Sequence, residues 1–113
     1  MPQIPDSDAV IVLTTLGADV DAAALARMLV AERLAACVNV LPVMTSVYRW
    51  QGGVEEEREQ QLVIKTGADR VAALATRFEA LHPYEVPEFL VLRVSEGSDE
   101  YLRWIRDSVE SAS

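Results

Sequence analysis

Tyr48-Arg49-Trp50-Gln51-Gly52-Gly53-Val54-Glu55-Glu56-Glu57-Arg58-Glu59-Gln60-Gln61-Leu62-Val63-Ile64-Lys65-Thr66 is the stretch that decides the fold. Gln51-Gly52-Gly53 supplies the glycines a tight hairpin needs, and Val54 to Thr66 reads as the strand returning from it. The outgoing arm begins at Cys37 and keeps strand chemistry to Trp50, with Pro42 marking a bulge or kink rather than an end. Each arm is about 13 residues, which at roughly 3.3 Å per residue reaches about 40 Å. A compact domain of this length has a radius of gyration near only about 13 Å, so the tip is expected to project. Val54 to Gln61 is polar where a covered strand would be apolar, and Leu62-Val63-Ile64 then returns to the core. Val47, Tyr48 and Trp50 lie near the tip all the same. Large apolar side chains on a projecting arm predict a surface that meets another subunit.

Around this hairpin the remaining elements follow from periodicity. Asp8 to Thr15 carries the β-branched run of a buried strand, and Val20 to about Ala35 repeats apolar residues at helical spacing with Asp19 or Asp21 as cap. Asp69 to Leu81 is a second helix, marked by Val71, Leu74, Ala75, Phe78 and Leu81. Phe89 to Val94 is another strand. A last helix carries Asp99 and Glu100 in its first turn and Leu102, Ile105 and Val109 on its apolar face. The order strand, helix, strand, strand, helix, strand is the ferredoxin-like α+β pattern, with two helices on one face of an antiparallel sheet and an added C-terminal helix. Residues 1–113 form one domain, its core at about 8–109.

Between the second helix and the last strand lies His82-Pro83-Tyr84-Glu85-Val86-Pro87-Glu88, with the only histidine of the chain. Proline fixes φ and disfavours helix in the preceding residue, so this connection is stiff, either for the fold or to hold polar groups ready for a partner.

The composition, 50% apolar and 25% charged, is that of a soluble globular protein. No apolar run approaches the ~18 residues of a membrane helix, the N-terminus lacks signal-peptide character, and the single cysteine agrees with a reducing compartment; a cytoplasmic protein is expected. A net charge of −8 argues against nucleic acid as a partner, since phosphate binding needs lysine and arginine. Lys65 is the only lysine, against nine arginines.

Glu55, Glu57 and Glu59 share one strand face by period two. They suit either a hard cation or a charged arm that resists aggregation. His82 with Glu85 and Glu88 offers nitrogen and oxygen ligands for copper or zinc, or His82 caps the preceding helix. Cys37, which follows Ala35-Ala36 and has apolar neighbours on both sides, reads as a small buried hydrophobe rather than a soft metal ligand or reactive thiol. The chain has no GxSxG, P-loop, GxGxxG or HExxH motif, so no catalytic residue is assigned and an enzyme is not expected.

Ala31-Glu32-Arg33-Leu34-Ala35-Ala36-Cys37-Val38-Asn39, Tyr48-Arg49-Trp50-Gln51-Gly52, Ile64-Lys65-Thr66, His82 to Glu88 and Tyr101-Leu102-Arg103-Trp104-Ile105 together resemble the CutA divalent-cation tolerance family. The resemblance implies a cytoplasmic homotrimer similar to the PII signalling proteins, joined through the long hairpin Cys37 to Thr66. It also implies a role in tolerance to copper and other divalent cations, with no required cofactor. Of the family's metal positions, His82 and Glu88 match, whereas Thr14 stands for a cysteine and Leu81 for a second histidine. Trp50, Glu59, Lys65 and Tyr84 match residues lining the family's cleft between subunits. A divalent metal held weakly by His82 and Glu88 at an interface is the first expectation. The alternative is a PII-like sensor whose cleft takes a small anionic ligand on Lys65.

Overall fold

A computed structural model describes residues 9–81 and 87–110. Its elements are β1 (Ala9–Gly17), α1 (Ala22–Ala31), β2 (Cys37–Val40), β3 (Met44–Trp50), β4 (Gly53–Gly67), a 3₁₀ turn (Ala68–Arg70), α2 (Val71–Glu79), β5 (Phe89–Arg93) and α3 (Asp99–Val109). The Asp21 carboxylate caps α1 by accepting from the Ala24 N–H at 3.0 Å. The helix stops four residues before the expected end because Arg33 turns left-handed at φ 60°. There the Leu34 N–H bonds back to the Leu29 carbonyl at 2.9 Å and the Arg33 N–H to Val30 at 3.1 Å, a Schellman ending with arginine where glycine is usual. The Ser98 hydroxyl caps α3 through the Tyr101 N–H, and Asp99 and Glu100 occupy its first turn.

The sheet is antiparallel, in the order β2-β4-β1-β5, with β3 continuing along β4. Period two sends Val10, Val12, Thr14 and Leu16 of β1, and Gln60, Leu62, Ile64 and Thr66 of β4, to one face. There Val10, Val12, Leu16, Leu62 and Ile64 pack with Leu25 and Leu29 of α1 and Leu74 and Phe78 of α2 into the main core. Burying these side chains is the main driving force for the fold, about 1.5–3 kcal/mol for each large one. The polar residues on this face are paired: Gln60 donates to the carbonyls of Gly17 and Val20 at 2.9 Å, and Thr66 to that of Leu34 at 2.8 Å. α3 lies on the other face, where Leu102, Ile105 and Val109 pack on Ala9, Ala36 and Val94. Arg70 and Arg33 bond its last carbonyls, at Val109 and Glu110. A cation suits the negative end of a helix dipole.

The outgoing arm is divided in two by Leu41-Pro42-Val43. Val40 pairs with Leu62 and Met44 with Glu59, so three residues oppose two, and the Pro42 region is the expected bulge. This bulge sets Met44, Ser46 and Tyr48 opposite Glu59, Glu57 and Glu55. The turn at the tip places Gln51 (φ 47°) and Gly52 (φ 81°) between paired Trp50 and Gly53, so both central residues take positive φ. Val47 and Val54 near the tip are 60% and 68% exposed. The radius of gyration, 15.3 Å, exceeds the roughly 13 Å of a compact chain this long, in keeping with an arm that projects.

Candidate functional site

On the face opposite α1 and α2, the hairpin and the start of β5 border an open hollow of about 580 Å³. Its acidic wall is the β4 row Glu55, Glu57 and Glu59, joined by Glu88 just before β5. Its other wall is Met44, Ser46, Tyr48 and Trp50 of β3, and Thr15 and Gln61 lie at its floor. The three glutamates share this face because β4 runs unbroken through them. Glu88 is held from two directions: its carboxylate accepts from Gln61 Nε2 at 2.6 Å, and its carbonyl accepts from the buried Thr14 hydroxyl at 2.7 Å. Thr14, the residue standing where the resemblance implies a cysteine, thus ties β1 to the entry of β5. No lysine or arginine lines the hollow among the described residues.

The Tyr48 phenol shows the sign of the local field. Its hydrogen bond to Glu57, then burial, then the charges of Glu57, Glu55 and Glu59 push its pKa from 10.0 up to about 12. Because the folded-state value is raised, the stabilisation is fully present below about pH 10 and is lost as pH rises toward 12. The expected result is a phenolate absorbance change near pH 12 that Tyr48→Phe removes and Glu57→Gln shifts downward. A Tyr48 titration near pH 10 in the wild type would contradict the geometry.

Of the expected site residues, Trp50, Glu59 and Glu88 come together in this hollow. Lys65 does not join them within one subunit. It sits six residues along β4 from Glu59, roughly 20 Å away, with its Nζ 5.9 Å from the centre of the Tyr101 ring. His82, Tyr84 and Glu85 lie outside the described residues. Leu81, next to them, is exposed. Cys37 is half-buried, paired in register with Lys65, rather than the fully buried hydrophobe expected, because it opens the edge strand β2. Among the described residues no three carboxylate, cysteine or histidine side chains converge as a metal site. Gln61, Met44 and Tyr48 are lining residues that sequence reasoning left out. Parity with Glu59 signals Gln61, whereas Met44 and Tyr48 depend on the exact place of the bulge.

A family model described as CutA1 divalent ion tolerance protein matches residues 10–108. The chain belongs to the CutA1 family. It is 48% identical over 98 residues to the divalent-cation tolerance protein CutA of Thermus thermophilus, covering 87% of this chain and 95% of that one. A CutA of Yersinia pestis is 44% identical over 103 residues, covering 91% and 87%. Among solved structures, CutA from Xylella fastidiosa superposes with a TM-score of 0.82 at 48% identity, covering 92% of this chain and 100% of that one. The ferredoxin-like fold read from the element order is that of the CutA1 family, whose PII-like character the resemblance implies, and the family name carries a relation to divalent cations.

Proposed function

We propose that this CutA1 chain serves divalent-cation tolerance by binding copper or zinc weakly, at or near the interfaces of a homotrimer joined through the hairpin Cys37 to Thr66. The observation that carries this reading is charge: Glu55, Glu57, Glu59 and Glu88 line one hollow, and no described lysine or arginine is among its lining residues. Such a surface concentrates cations and repels anions. His82 supplies the borderline imidazole that copper and zinc favour, and Glu88 the carboxylate. The donor set explains why binding is weak. The Thr14 hydroxyl is engaged with the Glu88 carbonyl, Leu81 has no donor atom, and Gln61 already holds the Glu88 carboxylate. Neighbouring subunits would complete the coordination, and the exposed Val47 and Val54 support such neighbours.

An anionic ligand in the hollow is disfavoured by its four carboxylates, and Lys65 stands at the other end of β4. The chain is read as a binding protein and not an enzyme, working in the cytoplasm, in keeping with its one cysteine. The Archaeoglobus fulgidus relative, named periplasmic, makes cell fractionation the check on that location.

Calorimetric titration with copper and with zinc tests the metal site. His82→Ala and Glu88→Gln are each expected to weaken binding at least about tenfold, equivalent to about 1.4 kcal/mol. Isotherms identical to wild type would remove both residues from the site.

A further inference from the structure

Glu88 is held by hydrogen bonds that come from two different strands. The wholly buried Thr14 hydroxyl of β1 donates to its backbone carbonyl at 2.7 Å, and the Gln61 amide of β4 donates from Nε2 to its carboxylate Oε2 at 2.6 Å. The first bond fixes the backbone from which the side chain departs, because Thr14 is itself paired in register with Phe89. The second fixes the carboxylate, because the Gln61 backbone has little freedom of its own. It is paired with Thr15 on one side, and on the other its carbonyl accepts from the Leu41 N–H at 3.0 Å. The amide is thus presented from a backbone locked in mid-sheet, and it engages one oxygen of the carboxylate.

Metals differ in what they ask of a carboxylate. Zinc is satisfied by about four ligands, with a carboxylate oxygen at about 2.0–2.2 Å. Calcium collects about six to eight oxygens at about 2.3–2.6 Å and readily takes both oxygens of one carboxylate. Resting on the metal reading of Glu88 above, we propose that Gln61 is a specificity-determining residue. By keeping Oε2 as its own acceptor, it leaves Glu88 a one-oxygen ligand that serves copper and zinc and handicaps calcium. Gln61 touches no metal and acts through Glu88, as the hydrogen-bonded partners of ligating carboxylates do elsewhere. The discrimination lies in the number of oxygens offered. It is therefore separate from the charge of the neighbouring glutamates, which attract every divalent cation alike.

Zinc and calcium are titrated calorimetrically into the full chain and into Gln61→Met, which keeps the length of the side chain and removes the amide. Zinc affinity is expected to change less than about threefold and calcium affinity to rise at least about tenfold, so that the preference for zinc falls. A merely structural role for Gln61 would move both metals together. Glu88→Gln separates the two readings. Zinc weakened by Glu88→Gln, with the ratio of the two metals in Gln61→Met unchanged from wild type, overturns this inference alone. So does calcium undetected in both the wild type and Gln61→Met. A zinc isotherm unchanged in Glu88→Gln removes the metal reading of Glu88, and this inference falls with it.

Discussion

Phe78→Ala is expected to destabilise the chain by about 3–5 kcal/mol, the usual cost of truncating a buried phenylalanine and leaving a cavity. Phe78 is 1% exposed, on the buried face of α2 against the sheet, and its ring lies 6.4 Å from that of Phe89 at an interplanar angle of 57°. It joins the second helix to the strand that follows the His82–Glu88 segment, so the loss falls on both. Against a typical net stability of about 5–15 kcal/mol, a change of that size removes a large share of the whole. Phe78→Leu, which keeps much of the volume, should lose less than half as much. Denaturant unfolding at equal protein concentration is the measurement. A loss below about 1 kcal/mol for the alanine variant would mean that α2 does not seat on the sheet as described.

The second large effect concerns assembly. If the chain associates through its hairpin as proposed, Val47→Asp combined with Val54→Asp is expected to leave it monomeric at micromolar concentration, where the wild type sediments as an oligomer. Among the described residues these two valines are the most exposed of the large apolar side chains, and they lie on the part of the hairpin beyond the main core. They belong to neighbouring positions on one face of the tip, Val47 opposite Glu56 and Val54 opposite Arg49. Charge buried without a partner at an interface costs several kcal/mol, so two such groups suffice to oppose association. The same substitutions on an arm surrounded by water should leave stability within about 0.5 kcal/mol per site. Sedimentation velocity separates the two cases: a variant that sediments with the wild type would show that the tip carries no interface.

Much of the fold was legible because the informative residues act through local rules. The run Ala9-Val10-Ile11-Val12-Leu13, the capping Asp21 and Ser98, and the apolar stripes of α2 and α3 each specify their element with little help from distant contacts. The overhang of the hairpin followed from length alone. Three features did not follow. Arg33 ends α1 in a left-handed conformation that favours glycine, held by the carbonyl of Glu110 far along the chain. The side of the sheet taken by α3 depends on Ala9 and Val94 leaving room for Leu102 and Ile105, a packing property that periodicity does not carry. Cys37 is half-exposed because β2 is an edge, which alanine neighbours do not reveal.

The candidate site divides in the same manner. The common face of Glu55, Glu57 and Glu59 is a consequence of period two and was readable. That Tyr48 and Met44 face the same hollow depends on one extra residue in the segment Leu41-Pro42-Val43, and a one-residue change of register would turn them to the other side. The support of Glu88 by Thr14 and Gln61 joins residues 74 and 27 positions apart, beyond the reach of any local pattern.

Cation binding is expected to belong to the assembled hairpins and not to a lone subunit. The direct measurement is a calorimetric copper titration of the wild-type protein beside the Val47→Asp, Val54→Asp variant, with the association state of each established by sedimentation. Saturable binding by the associated wild type, weakened at least about tenfold in a folded monomeric variant, is the predicted result. Equal isotherms from the two, or no copper binding by the associated wild type, would contradict it.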